Sequence, residues 1–131
     1  MDDKKISEAD FNSLDFLDFE YALECCASSF DLYLQAVRGF VGKDYKEELL
    51  TRLLQEKDYV NYSVNIHAVK SSSSTIGALM LSNQARALEY SLKEGNLEYV
   101  ENNHLNTMEE YHRIADCLRK ILIEYGCIDN E

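Results

Sequence analysis

Proline and tryptophan are both absent from this 131-residue sequence, and glycine occurs only five times. Without proline the chain is free to carry long helices, and the few glycines become the natural places to end them. No stretch approaches the roughly 18 consecutive apolar residues that a membrane span needs. The opening Met1-Asp2-Asp3-Lys4-Lys5 has no apolar core of a signal peptide. The sequence therefore reads as cytoplasmic. Positive charge is also scarce, with 13 Lys and Arg against 24 Asp and Glu and a net charge of −11. That balance excludes a nucleic-acid binder, which gathers Lys and Arg on one face, and disfavours an anionic membrane surface. The four cysteines show no Cys-x-x-Cys and no zinc spacing. Adjacent Cys25 and Cys26 would point to different faces of a helix, so all four read as small reduced hydrophobes.

What is present is apolar periodicity. At this length a single domain with a real core is expected, with 1–13 a flexible N-terminal segment and 14–131 the folded domain. After Asp18, the run Phe19 to Ala27 reads as a short helix, and Ser28-Ser29 offers a cap for the next. Phe30, Leu34, Val37 and Val41 step by four, three and four, and Leu49, Leu50, Leu53 and Leu54 resume the stripe. We treat about 30–56 as one long helix, weakened by Gly39 and Gly42, with Gly42 the place where it bends or breaks. Asp58 caps a helix running to about Ile76, with Gly77 near its end. Leu81, Ala85, Leu88 and Leu92 mark the next, closed by Gly95 and restarted by Asn96. The last and longest carries Met108, Tyr111, Ala115, Leu118, Leu122 and Tyr125, and Gly126 ends it. The expected fold is all-α: an antiparallel up-and-down four-helix bundle with one or two short N-terminal helices.

The most informative stretch is Ile66-His67-Ala68-Val69-Lys70-Ser71-Ser72-Ser73-Ser74-Thr75-Ile76-Gly77-Ala78. With a helical step of about 100° per residue and His67 at zero, Ser63 falls at about −40°, Lys70 at about −60°, Ser71 at about +40°, Ser74 at about −20° and Ala78 at about +20°. Tyr62, Ile66, Val69, Ser73 and Ile76 form a separate seam that suits a core. The histidine then stands outward in a stripe of small side chains, with an ammonium one turn away. A neutral imidazole nitrogen is a nucleophile when its other nitrogen is held by an acceptor, and a nearby cation suits incoming phosphoryl oxygens. Lys70 can supply the cation. Glu89, beside the Leu88 seam position of the next helix, is the candidate acceptor.

These residues resemble the signature of histidine phosphotransfer (HPt) domains: His, any residue, an aliphatic, Lys, small residues, then Ile-Gly-Ala. The likeness extends through Leu81, Ala85, Leu88-Glu89 and Gly95-Asn96, and upstream through Lys57-Asp58-Tyr59, covering about 18–125. The resemblance implies a phosphorelay intermediate without autonomous catalysis or an ATP site. His67 would accept a phosphoryl group at Nε2 from a receiver-domain aspartate and pass it to, or back to, a receiver. By position, Lys70 is the phosphoryl-facing cation, Glu89 holds Nδ1, and Lys93 sits where a second basic residue can occur. Ser71 stands where glycine is commonest, narrowing the approach while offering a hydroxyl to the phosphoryl group. Ser63, Ser71, Ser74, Ala78 and Lys93 form the expected docking face. The implied partners are response-regulator receivers and a hybrid sensor kinase, with the chain a monomer. It needs no cofactor of its own, and Mg²⁺ belongs on the receiver.

Two other readings compete. A helical adaptor could bind a receiver or kinase without transferring phosphate, a reading that loss of the histidine or lysine would favour; both are present. Glu101-x-x-His104 and Glu109-x-x-His112 match the Glu-x-x-His motif of di-metal four-helix bundles. Such sites draw the two motifs from two helices, whereas here both fall on one, about 12 Å apart along its axis. We expect His104 to be a hydrogen-bonded core residue, His112 to face solvent, and no metal site.

Overall fold

The computed structural model describes residues 5–129, and these are helical without strands. Seven helices pack around one core: α1 (Ala9–Asn12), α2 (Phe19–Cys25), α3 (Phe30–Val41), α4 (Glu47–Gln55), α5 (Tyr59–Thr75), α6 (Leu79–Lys93) and α7 (Leu97–Glu124). Among the described residues, no helix is long and apolar enough to cross a membrane.

The turns between helices are short because the end of one helix overlaps the start of the next. At the end of α5, Gly77 N–H donates to the Ser74 carbonyl at 3.0 Å and Ala78 N–H to the Ser73 carbonyl at 2.9 Å. This pair of reversed bonds is a Schellman closure, with Gly77 at φ +90° in the left-handed position. Ala78 then serves directly as N-cap of α6. The ends of α4 and α6 close the same way, and the residue completing each closure, Asp58 or Asn96, also caps the following helix through its side chain. At the end of α4 the left-handed position is filled by Lys57, at φ +59°.

The stretch treated as one helix over 30–56 is two. Beyond Val41 the chain turns through residues 42–46, and α7 holds that break in place. The Arg119 guanidinium donates to the Val41 carbonyl at 2.6 Å, satisfying an end group of α3. The Tyr111 hydroxyl accepts from Lys46 N–H at 2.9 Å and donates to the Asp44 carbonyl at 3.3 Å. Both α3 and α4 lie against α5 and α7, so the break preserves the packing that one continuous helix would have made.

The N-terminal expectation needs correcting as well. Residues 1–4 lie outside the described residues, but the rest of the supposedly flexible 1–13 segment includes α1, whose Phe11 is fully buried. Phe11 meets Phe19, Phe30 and Tyr33 in an aromatic cluster, which fastens the segment to α2 and α3. Ile6 and Phe11, five residues apart in a polar stretch, form no periodicity that announces the helix.

The seam of α5 is as the helical wheel has it: Tyr62, Ile66, Val69, Ser73 and Ile76 are all buried. Tyr62 also positions the helix, because its hydroxyl meets His104 Nδ1 of α7 at 2.8 Å. The other ring nitrogen of His104 meets Thr51 Oγ1 of α4 at 3.0 Å. His104 thus ties three helices together and both its nitrogens are engaged, the role of a core histidine. His112 is exposed beside Glu47, 3.2 Å from its carboxylate.

Candidate functional site

α5 and α6 are the most extensively packed helix pair, and they run antiparallel through the tight turn at Gly77. That register places His67 of α5 across from Glu89 of α6. His67 Nδ1 lies 2.8 Å from Glu89 Oε2, with the imidazole side chain 56% exposed and the carboxylate 16% exposed. A carboxylate only accepts, so Nδ1 carries the proton and Nε2 of the neutral ring keeps its lone pair. The nitrogen that points away from the protein is therefore the nucleophilic one.

The other oxygen of the same carboxylate is also taken. Lys70 Nζ lies 2.9 Å from Glu89 Oε1. One glutamate thus links the ring and the ammonium, two groups on the same side of α5 and one turn apart. Burial works to raise the Glu89 pKa, but the hydrogen bonds and positive charge supplied by Lys70 and His67 outweigh it. The carboxyl is held below its ordinary range. It is ionised at neutral pH, as an Nδ1 acceptor must be. Lys70 therefore rests on Glu89, one turn of α5 from the ring.

The remaining site residues divide. Ser63, Glu89 and Lys93 line a groove of about 660 Å³ with His67, Val60, Val64 and Leu92. Ser71 and Ser74 line a second groove with Lys70, Ser82 and Arg86. Ser74 is partly covered, because the Tyr21 hydroxyl of α2 sits 3.1 Å from its Oγ. Ala78 does not belong to the docking face. It is 1% exposed. Its angle was extrapolated along a helix that ends at Thr75, and the left-handed Gly77 turns the chain inward before Ala78 is reached.

Several residues of this surface escape a search for small side chains. Val60 and Val64 are 76% and 63% exposed, and both border His67. The wheel that placed the serines puts them at about +20° and +60° from His67, so the signal was present. Arg86 lies one turn before Glu89 on α6, and the register of the α5–α6 pair brings it to Ser71 and Ser74. Tyr21 comes from a separate short helix, and nothing local to the motif points to it.

No protein-family model matches the chain, and no curated protein or solved structure matches it significantly.

Proposed function

We propose that this chain is a histidine phosphotransfer protein or domain, accepting a phosphoryl group on His67 from a receiver-domain aspartate and passing it to a receiver. The observation that carries the reading is the His67–Glu89–Lys70 bridge. Of the three residues singled out by the motif and its downstream spacing, His67 and Lys70 converge on the carboxylate of the third, Glu89, and the imidazole side chain is more than half exposed.

The step follows from that arrangement. The Nε2 lone pair attacks phosphorus of the aspartyl phosphate, the N–P bond forms, and the P–O bond to the aspartate breaks with its electron pair leaving on the carboxylate. The ring keeps its Nδ1 proton and becomes cationic, and the Glu89 carboxylate stabilises that charge. Lys70 shares its ammonium between Glu89 and the phosphoryl oxygens. Transfer onward is the same displacement in reverse, with a receiver carboxylate as nucleophile. Mg²⁺ belongs to the receiver, and this chain supplies a held ring in an open setting. The supporting scaffold is an antiparallel up-and-down four-helix bundle, with α3 and α4 together forming one helix position beside α5, α6 and α7, and α1 and α2 as the short N-terminal helices. The reading places the protein in the cytoplasm as a monomer that acts without a cofactor of its own.

Incubating the full chain with a panel of phosphorylated receivers tests the proposal. The expected result is label that resists alkali and is lost in acid, the behaviour of a phosphorus–nitrogen bond. No label from any receiver would overturn it, and binding without label would favour the adaptor reading.

The role of Glu89 is separable. Glu89→Ala removes the Nδ1 acceptor and the anion that holds Lys70. We expect phosphoryl uptake to slow by about ten- to a hundredfold, the size of loss that removing the partner of a metal-bound histidine produces. Receiver binding should change little, because Glu89 is mostly covered. Single-turnover transfer measured beside equilibrium binding separates the two, and unchanged transfer would remove Glu89 from the mechanism.

A further inference from the structure

The charge on this protein is unevenly distributed. Only one of its 24 acidic residues, Glu89, falls on α5 or α6, and that one is paired with both His67 and Lys70. The same two helices carry Lys70, Arg86 and Lys93, a net charge of +2 in a chain of −11. The furrow between them is therefore a basic island on an acidic surface. Its two halves also differ. On one side of the His67–Glu89 bridge the furrow is lined by Val60, Val64, Leu92 and Lys93; on the other it is lined by Lys70, Ser71, Ser74, Ser82 and Arg86.

Arg86 is, with Lys93, one of the two cations of this island that no carboxylate holds among the described residues. Its contact there is a long hydrogen bond, from Nη2 to Asn83 Oδ1 at 3.4 Å. Lys70, by contrast, is drawn onto Glu89. An exposed guanidinium beside a groove of small hydroxyl side chains has five donors, and this single long bond leaves most of them for a partner.

We infer that Arg86 is a partner-recognition residue, meeting an acidic surface beside the phosphoaspartate of the receiver and fixing which end of the furrow the partner's charged side occupies. This rests on the phosphotransfer reading. Two features of the chemistry favour it. The donor group must itself be anionic when it reaches His67, so the surface around it is drawn to the island while the remainder of this chain repels it. The other half sets its one ammonium, Lys93, among apolar side chains, so the two ends of the furrow present different surfaces to the partner. Arg86 does not touch the reacting atoms in this account. It raises the rate and specificity of encounter.

The test measures transfer from the best-labelling receiver to the full chain over a range of receiver concentrations and ionic strengths. The variants are Arg86→Glu, Arg86→Lys and Arg52→Glu, the last making the same charge change on α4. Arg86→Glu is expected to raise the half-saturating receiver concentration about tenfold at low salt, with the deficit shrinking as salt screens the interaction and the saturated rate kept. Arg86→Lys should recover most of the loss, and Arg52→Glu should behave nearly as wild type. Equal shifts in Arg86→Glu and Arg52→Glu, or none in either, overturn the role of Arg86 while labelled wild type leaves the phosphotransfer reading standing. A fall in saturated rate at unchanged half-saturation also overturns it, by placing Arg86 in the chemical step. A wild-type chain that accepts no label removes both.

Discussion

His67→Gln is expected to take up no phosphoryl label from any receiver that labels the wild type, while keeping the wild-type fold. Glutamine is a close match in reach, and its amide N–H₂ can still donate to Glu89. It has no basic nitrogen lone pair, so the bridge can persist while the nucleophile is gone. The substitution should change stability by no more than about 0.5 kcal/mol, since the side chain is exposed and its one polar contact is retained. Loss of label can then be assigned to chemistry once helix content and the unfolding midpoint are seen to match wild type. His104 and His112 provide the internal control. Each remains in the variant, one enclosed between hydroxyls and one exposed on α7. Label reaching the variant would mean that another residue is the acceptor, and His112 would be the first to examine.

The legible parts of this molecule are those encoded within one or two turns of chain. Asp58 and Asn96 announce helix starts, Gly77 announces a stop, and the Tyr62–Ile66–Val69–Ser73–Ile76 spacing gives the buried side of α5 and hence the outward direction of His67. Glu89 could be nominated from its place beside the Leu88 seam position, and the tight turn at Gly77 sets the register that brings it to His67. What escaped was decided at long range. The break between α3 and α4 is held by Tyr111 and Arg119, far along α7, and Gly42 alone could not distinguish a bend from a break. Phe11 is buried because Phe19, Phe30 and Tyr33 enclose it, which no pattern around residue 11 foretells. Ala78 was misplaced by continuing a helical wheel across a left-handed residue. The pairing of Lys70 with Glu89 also went unread, although the same register that brings Glu89 to His67 brings it to Lys70.

Gly77→Ala is expected to be among the most destabilising single substitutions in the chain, by about 2–5 kcal/mol, and the reason is separable into two parts. Residue 77 sits at φ +90°, where any side chain is strained. It also lies against the start of α2. A Cβ there would come within 2.5 Å of the Asp18 carbonyl oxygen, 3.0 Å of its carbon and 3.1 Å of Ala22 Cβ. Relief by movement is costly, because Asp18 N–H donates to the Gly77 carbonyl at 2.9 Å and the Asp18 carboxylate caps α2 by accepting from Tyr21 N–H. Gly95→Ala isolates the first part. Gly95 has φ +76° and a comparable Schellman position, but a Cβ there meets nothing within 4 Å. It should lose only the conformational share, about 1–2 kcal/mol. Urea unfolding of the two variants therefore measures the backbone approach between α2 and the end of α5 as their difference. Equal losses would show that α2 yields freely, and the contact between Tyr21 and Ser74 would then be too loose to shape the basic half of the furrow. A larger loss at Gly77 would instead show that the glycine of the Ile-Gly-Ala segment serves the docking of α2, ten residues from the histidine and apart from the chemistry. At a temperature where Gly77→Ala remains folded, its uptake of label should then stay near wild type, because the His67–Glu89–Lys70 bridge is made within α5 and α6 and takes no partner from α2.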